Sequence, residues 1–315
     1  MLMSVSIDSG AIGSDVSRSR RQLLVRRLSG IIVGLLRLNK PNFFNTELVQ
    51  SIQPVATIKT EHGDLLCKCG HGRLLWRART FHTEEPETVR WLDSINPDDC
   101  LWDVGANVGL YSIYAARFRK CRVYAFEPES QNFALLIENI ALNHVGENCQ
   151  PACVAISEKA GLGTLNVRYV TKGGAYNLFN ATDSDFGQRE DLPETSKAVM
   201  HDASDQSPIR QMVYGISLDN LFTEYRLQAP THLKIDVDGL EPWIIQGAQS
   251  LLAEKRLRTI LIEINRKSNR DIAIPDILAA KGFQLSSERC NWLSRDDRTK
   301  EDVMPATNMI FSRRS

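Results

Sequence analysis

From residue 100 onward, short apolar runs alternate with stretches whose apolar residues recur at helical spacing. The runs Leu101–Val104, Arg122–Phe126, Ala152–Ile156, Thr164–Val170, His232–Val237 and Thr259–Ile264 predict strands, because they are short and rich in β-branched and aromatic residues. Helices are predicted at 109–117, 130–143, 240–254 and 272–281, between or after those strands. Phe283–Leu285 and Asn308–Phe311 close the series as an antiparallel pair. Strand–helix alternation implies a mostly parallel sheet covered on both faces, hence an α/β fold. Before residue 100, positions 55–80 alternate around the turn Glu61-His62-Gly63-Asp64 and predict a β-hairpin or small meander. Residues 83–95 predict a helix, with Thr83 as N-cap, Pro86 in its first turn, and Val89, Leu92 and Ile95 inward.

The ends and one interior stretch break this pattern. The first 17 residues are rich in Ser, Gly and Asp and are expected to lack fixed structure. Leu24, Leu28, Ile31 and Leu35 share a helix face among basic residues. Packing on the domain is the preferred reading of that helix, and contact with a membrane surface is the alternative. Residues 171–211 lose periodicity and turn polar, which suggests a mobile cover over a site. The chain thus divides into a helical and hairpin extension, 1–80, and a catalytic unit, 81–315.

Composition narrows the function. The 38 basic and 38 acidic residues cancel, so bulk positive charge does not mark a nucleic-acid binder. No run of 18 apolar residues occurs; Leu23–Leu38 is broken by Arg26, Arg27 and Arg37, so no integral span is expected. Residues 1–40 carry seven basic and two acidic residues. Seven cysteines, an odd number, and no clear signal segment point to a reducing, cytoplasmic setting. His62, Cys67, Cys69 and His71 raise a zinc question, but their spacing is unlike the usual structural sites, and no metal ligand is assigned.

The chemistry centres on Asp103-Val104-Gly105-Ala106-Asn107-Val108-Gly109, a strand end, a glycine turn and a helix start. The turn lets a ligand approach the backbone at the carboxyl edge of the sheet. A dinucleotide fingerprint needs three glycines cradling a pyrophosphate. Asn107 and Leu110 stand at two of those positions, which weighs against a nicotinamide oxidoreductase. Asp103 suits a cationic ligand, such as the ammonium and sulfonium of S-adenosylmethionine. Glu127, 18 residues beyond Gly109 in Phe126-Glu127-Pro128, is placed to accept ribose hydroxyls.

These segments resemble the FkbM family of S-adenosylmethionine-dependent methyltransferases, as do Leu233-Lys234-Ile235-Asp236-Val237-Asp238-Gly239-Leu240-Glu241, Leu261-Ile262-Glu263 and Glu85-Pro86-Glu87-Thr88 with Trp91. The likeness covers residues 80–285. It implies a Rossmann-like class I methyltransferase fold with a mostly parallel seven-stranded sheet. It further implies O-methylation, often of a sugar or natural-product hydroxyl. Asp238 departs from the family's more frequent Glu. On this reading Asp103, Gly105, Asn107, Gly109, Glu127 and Pro128 hold the cofactor.

An alcohol needs its proton removed as the new bond forms. Asp236, emerging at the same edge as the glycine loop, is the first choice as base. Lys234 orients it or steadies the alkoxide, and Glu263 is its partner. His201 and His232 remain alternative bases, and Asn177, after Gly173-Gly174, faces cofactor or acceptor. The acceptor is a small molecule or glycan, with a sugar hydroxyl preferred and a secondary-metabolite hydroxyl or a nitrogen as alternatives. A non-catalytic binding protein on the same fold is the remaining rival.

Overall fold

The computed structural model describes residues 4–6, 27–34, 52–70, 72–167, 172–175, 177–180, 209–237, 239–266, 268–287 and 306–314. Strand β1 (Ser4–Ser6) runs parallel to β2 (Val55–Thr60), and β2 turns into β3 (Gly63–Lys68) as an antiparallel hairpin. Between them lies a helical segment, α1 (27–34), whose Leu28, Ile31, Ile32 and Val33 are all exposed. The described part of the basic helix is therefore not packed on the domain, contrary to the preferred sequence reading. Residues 72–80, read as part of a meander, are instead a helix, α2 (Gly72–Thr80), with Leu74 and Ala78 buried one turn apart. Helix α3 (Pro86–Asp93) buries Val89 and Leu92, but Thr83 does not cap it; Glu85 is the N-cap residue, and Pro86 sits in the first turn.

The central sheet takes β4 (Cys100–Val104), β5 (Arg122–Phe126), β6 (Cys149–Ala152), β11 (His232–Ile235), β12 (Thr259–Asn265), β13 (Phe283–Ser287) and β14 (Ala306–Arg313). Their order is β13-β14-β12-β11-β4-β5-β6. All neighbours pair in parallel except β14, which runs antiparallel between β12 and β13. A doubly wound dinucleotide sheet lacks that reversed insertion. The sheet is covered on both faces, as near-continuous apolar strands require. Leu101, Val123, Ala125 and Leu261 pack on one side with Leu65 of the hairpin, Leu92 of α3 and Ile113 of α4 (Leu110–Tyr114). Trp102, Val104, Leu233 and Ile262 pack on the other with Leu218, Ile244 and Leu278.

The hairpin is integrated with this core. Asn139 and Asn143 of α5 (Ser130–Leu142) and its C-cap satisfy its edge. The Leu66 and Lys68 amides donate to their side-chain oxygens at 3.0 and 2.9 Å, and Asn143 Nδ2 donates to the Leu66 carbonyl at 2.7 Å. Pairing these edge groups with side chains reduces what the strand can offer to another chain.

Two sequence-predicted strands fall outside the central sheet. The run 152–156 divides, its first residue ending β6 and its end forming β7 (Ala155–Ile156) of a second, four-stranded sheet. That sheet has the order β7-β10-β8-β9, with β8 (Gly161–Val167), β9 (Leu178–Phe179) and β10 (Ile209–Ile216). Strand β10 lies partly in the stretch read as structureless. The proposed mobile cover and His201 fall largely or wholly in 181–208, outside the described residues.

Candidate active site

The chain leaves β4 toward one side of the sheet and returns at β11 to build the other, so β4 and β11 are neighbours at the topological switch. Open α/β sheets bind ligands outside the carboxyl ends of strands at this point. The glycine turn follows β4, and Asp236 follows β11. Gly105 has φ +79°, and a Cβ there would collide with the Asp236 carbonyl oxygen, so the two loops cross backbone to backbone. Gly109, φ +85°, opens α4, and its missing Cβ leaves room for Leu136 of α5. Asn107 also lies in the left-handed region, φ 51°, which Asn tolerates better than most residues.

Two cavities flank the turn, with about 560 and 540 Å³ of empty space open to solvent. Both are lined by Gly105, Asn107 and Asp236, so together they form one trough across the loop. The first has apolar walls from Val154, Ile156, Leu165 and Phe179, with Glu127, Pro128, Asn132 and Asn177 at its rim. The second is polar and aromatic, lined by Trp76, Arg77, Glu85, Tyr111 and Lys234 among others.

Glu127 is buried, and its carboxylate is already tethered: Oε2 accepts from the Asn107 amide at 2.8 Å and Oε1 from the Glu129 amide at 2.9 Å. Burial pushes it up to about 7 against the pull of those amides. The far wall is fixed by amides. Asn107 Nδ2 and Asn132 Nδ2 both donate to the Gly174 carbonyl, at 2.8 and 3.1 Å, and the Gly173 amide donates to Asn132 Oδ1 at 2.7 Å.

The second cavity is built on a buried ammonium. Lys234, 2% exposed, places Nζ 3.0 Å from Asp236 Oδ2 and 3.5 Å from Asp103 Oδ1. Burial works against its charge, yet Asp236, Asp103 and Glu85 outweigh that and hold Lys234 protonated. Asp103 is 1% exposed, accepts from Ser112 Oγ at 2.5 Å, and lines neither cavity. It lies beneath the trough and reaches it through Lys234. Asp236, 28% exposed at its side chain, is the member of the set that faces the trough.

Glu85 and Tyr111 were not singled out individually from sequence, although Glu85 belongs to the quoted Glu85-Pro86-Glu87-Thr88 segment. Glu85 accepts from Thr88 Oγ1 at 3.1 Å and hydrogen-bonds Tyr111. Burial first, and Asp236 next, push it up to about 7. Burial and the same two carboxylates raise Tyr111 well above its usual value, so its hydroxyl stays a donor. Glu85 and Asp236 thus line the second cavity together with Lys234 and Arg77, so acidic and basic groups share its wall.

The other sequence candidates lie elsewhere. Glu263 lies within β12, opposite Asn308 of β14, and lines neither cavity. His232 sits at the amino end of β11, at the opposite edge of the sheet. There Nδ1 and Thr259 Oγ1 are 2.6 Å apart, and Nε2 and Asp99 Oδ2 are 3.1 Å apart. Asp99 also pairs with Arg258. Glu241 caps the turn after Asp236 by accepting from the Val237 amide at 3.1 Å. No cluster of three His, Cys, Asp or Glu arranged for a metal occurs among the described residues; His62 pairs with Asp93, and His71 lies outside them.

The trough fits the methyl donor in its parts: an apolar lobe with a carboxylate for adenosine, a bare glycine turn at the crossing, and a lobe of acidic and basic groups for its charged end. A reversed strand next to the last parallel one, with this trough at the switch, defines a class I methyltransferase. The FkbM methyltransferase domain matches residues 103–285, more than half of the chain, and the protein belongs to that family. It is an enzyme that uses S-adenosylmethionine. Relatives include Methyltransferase sdnD of Sordaria araneosa, 25% identical over 199 residues that cover 60% of this chain and 75% of that protein. The hexuronic acid methyltransferase AglP of Haloferax volcanii is 25% identical over 61% of this chain and 66% of its own length. The 31-O-demethyl-FK506 methyltransferase FkbM of Streptomyces tacrolimicus is 23% identical over 75% of this chain and 91% of its own. Among solved structures, M. jannaschii TYW2 in complex with AdoMet superposes with a TM-score of 0.38 at 12% identity, over 82% of this chain and 87% of that one.

Proposed function

We propose that the protein methylates a hydroxyl of a sugar, carried on a glycan or glycolipid, with Asp236 as the residue that receives the hydroxyl proton. The observation that carries this reading is the position of Asp236: on the wall shared by both cavities, tied to a buried lysine, and open to the trough. A hydroxyl in the trough beside the Asp236 carboxylate lies where a base and a reacting methyl group must meet. The bound cofactor supplies an electrophilic methyl group on a sulfonium.

The chain's own residues do the rest. Glu127 takes the ribose hydroxyls and Asn107 holds the turn, with Gly105, Gly109 and Pro128 shaping the cradle. Asp103 and Lys234 form a buried pair that fixes the direction of Asp236. Glu85 is the second carboxylate facing the acceptor, a place that Glu263 does not share. The name of the hexuronic acid methyltransferase supports a sugar acceptor, and that of the FK506 relative leaves a secondary-metabolite hydroxyl as the competing class. No helix among the described residues is long and apolar enough to cross a membrane. We also infer that the exposed apolar side chains of α1, next to a basic stretch, touch a membrane surface weakly.

The test is methyl transfer from labelled cofactor to a panel of uronic acids, neutral sugars and macrolide alcohols. Asp236→Asn is expected to lose about 10²-fold or more in rate while keeping cofactor affinity, the usual worth of a positioned base. A variant as fast as wild type removes Asp236 from the chemistry. Transfer to the alcohols alone moves the acceptor to the competing class.

A further inference from the structure

We propose that Arg77 makes the second cavity a carboxylate-binding site, contributed by a helix that lies before the family-matched residues 103–285. The proposal rests on the trough being the cofactor site. Arg77 lines the cavity together with Glu85, Tyr111, Lys234 and Asp236. Its Nε is shielded from solvent and has no hydrogen-bond partner among the described residues. A buried guanidinium N–H without an acceptor is costly, and Arg77 lines a cavity with room for one. The planar fork of Arg matches a carboxylate side-on through Nε and one terminal nitrogen.

The fold holds Arg77 in place. Leu74 and Ala78 anchor α2 in the core, which leaves Trp76 and Arg77 on the cavity side. Leu74 packs into the space left by the missing side chain of Gly173. The backbone of Gly173 and Gly174 is in turn held by Asn107 and Asn132 of the cofactor loop and α5. The arginine is therefore coupled to the trough through packed, hydrogen-bonded neighbours. Trp76, 45% exposed on the same cavity, offers a flat apolar surface beside it.

Two ligands bring a carboxylate here. One is the cofactor: a molecule with its adenosine in the first cavity crosses Gly105 and Asn107 and carries its amino-acid end into the second. That end carries a carboxylate, suited to Arg77. The other is an acidic sugar acceptor, stacked on Trp76 and held by Arg77.

Calorimetric titration of the full chain separates them. S-adenosylhomocysteine and 5′-methylthioadenosine share the adenosine and the sulfur, and only the first has the amino-acid end. Arg77→Met is expected to weaken S-adenosylhomocysteine by about tenfold or more, as loss of a charge-assisted pair does, and to leave methylthioadenosine within twofold. That result assigns the cofactor carboxylate. Equal affinity for both ligands in variant and wild type, with loss of a D-glucuronate-specific thermal shift over D-glucose in the presence of S-adenosylhomocysteine, assigns the acceptor carboxylate. A variant that matches wild type in all four measurements overturns the proposal. Methylthioadenosine binding also reports whether Arg77→Met folds. If it does not, Arg77→Lys decides: weakening specific to either carboxylate ligand supports the site, and unchanged affinities overturn it. A wild type that binds neither nucleoside overturns the cofactor trough and the proposal together.

Discussion

Replacing Glu127 with Gln tests both the electrostatics of the trough and the role assigned to this residue. Burial raises the carboxyl from 4.5 to about 7 in the folded chain. The folded state therefore favours the proton more than the unfolded state does. The stability this gives is complete below about pH 4.5 and is lost as pH climbs through 7. One pH unit of difference is worth about 1.4 kcal/mol, so the linkage relation makes the loss between pH 5 and pH 8 roughly 2 to 3 kcal/mol. Gln cannot ionise, so its slope lacks this part. Glu85 and Glu241 are also pushed up to about 7, but they act in both proteins and cancel. Gln also gives up one amide acceptor, a constant cost that the comparison of slopes removes. Urea unfolding, followed by tryptophan fluorescence at pH 5, 6, 7 and 8, measures the slopes. In the proposed site the ribose hydroxyls bind the ionised carboxylate, so wild-type affinity for S-adenosylhomocysteine should be about tenfold weaker at pH 6 than at pH 8. Glu127→Gln should bind weakly at both. Identical stability slopes in the two proteins would refute the electrostatic argument. A pH-independent wild-type affinity would refute the ribose contact.

Three other outcomes follow from the geometry. Gly105→Ala forces a Cβ against the Asp236 carbonyl at a positive φ; it should destabilise the chain by about 2 kcal/mol or more and abolish nucleoside binding, checked by thermal melting and calorimetry. Glu85→Gln should slow methyl transfer by about 10²-fold and erase a rise in rate through pH 7; a variant that keeps the inflection excludes Glu85 as its source. Removing residues 1–40 should abolish co-sedimentation with anionic vesicles, and equal sedimentation of both forms ends the membrane reading.

The glycine turn, Glu127 and Asp236 were legible because each ends an apolar strand with a residue that an apolar interior rejects. Their convergence then follows from the parallel order of the sheet. Helix α2 was not legible. Gly72-Arg73-Leu74-Leu75-Trp76 has no capping residue and no acid in its first turn, so only its tertiary contacts through Leu74 and Ala78 mark it as helix. Strand β10 was hidden for another reason: Ile209, Met212 and Tyr214 are exposed and Val213 and Ile216 buried, so neither face carries a clean period of two. Glu85 and Tyr111 are far apart in sequence, and only the packing of α3 against α4 brings them together. Local pattern reports what each element buries, whereas the polar groups of this site meet across elements.

That meeting changes what Asp236 is asked to do. A lone carboxylate beside a lysine would be a spectator pair, its charge satisfied and its geometry fixed. Here Lys234 is shared with Asp103 below and sits near Glu85 across the cavity, so one ammonium serves three carboxylates. Asp236 is itself among the causes that raise Glu85. An inflection near pH 7 in the rate is therefore expected from Glu85. A general base works best when its pKa lies near the working pH. Glu85 meets that condition because burial and the neighbouring Asp236 charge oppose its ionisation more than Lys234 favours it. In the proposed reaction the proton released by the acceptor hydroxyl then has a place at the site, and burying Lys234 beneath the trough would serve that chemistry as well as the fold.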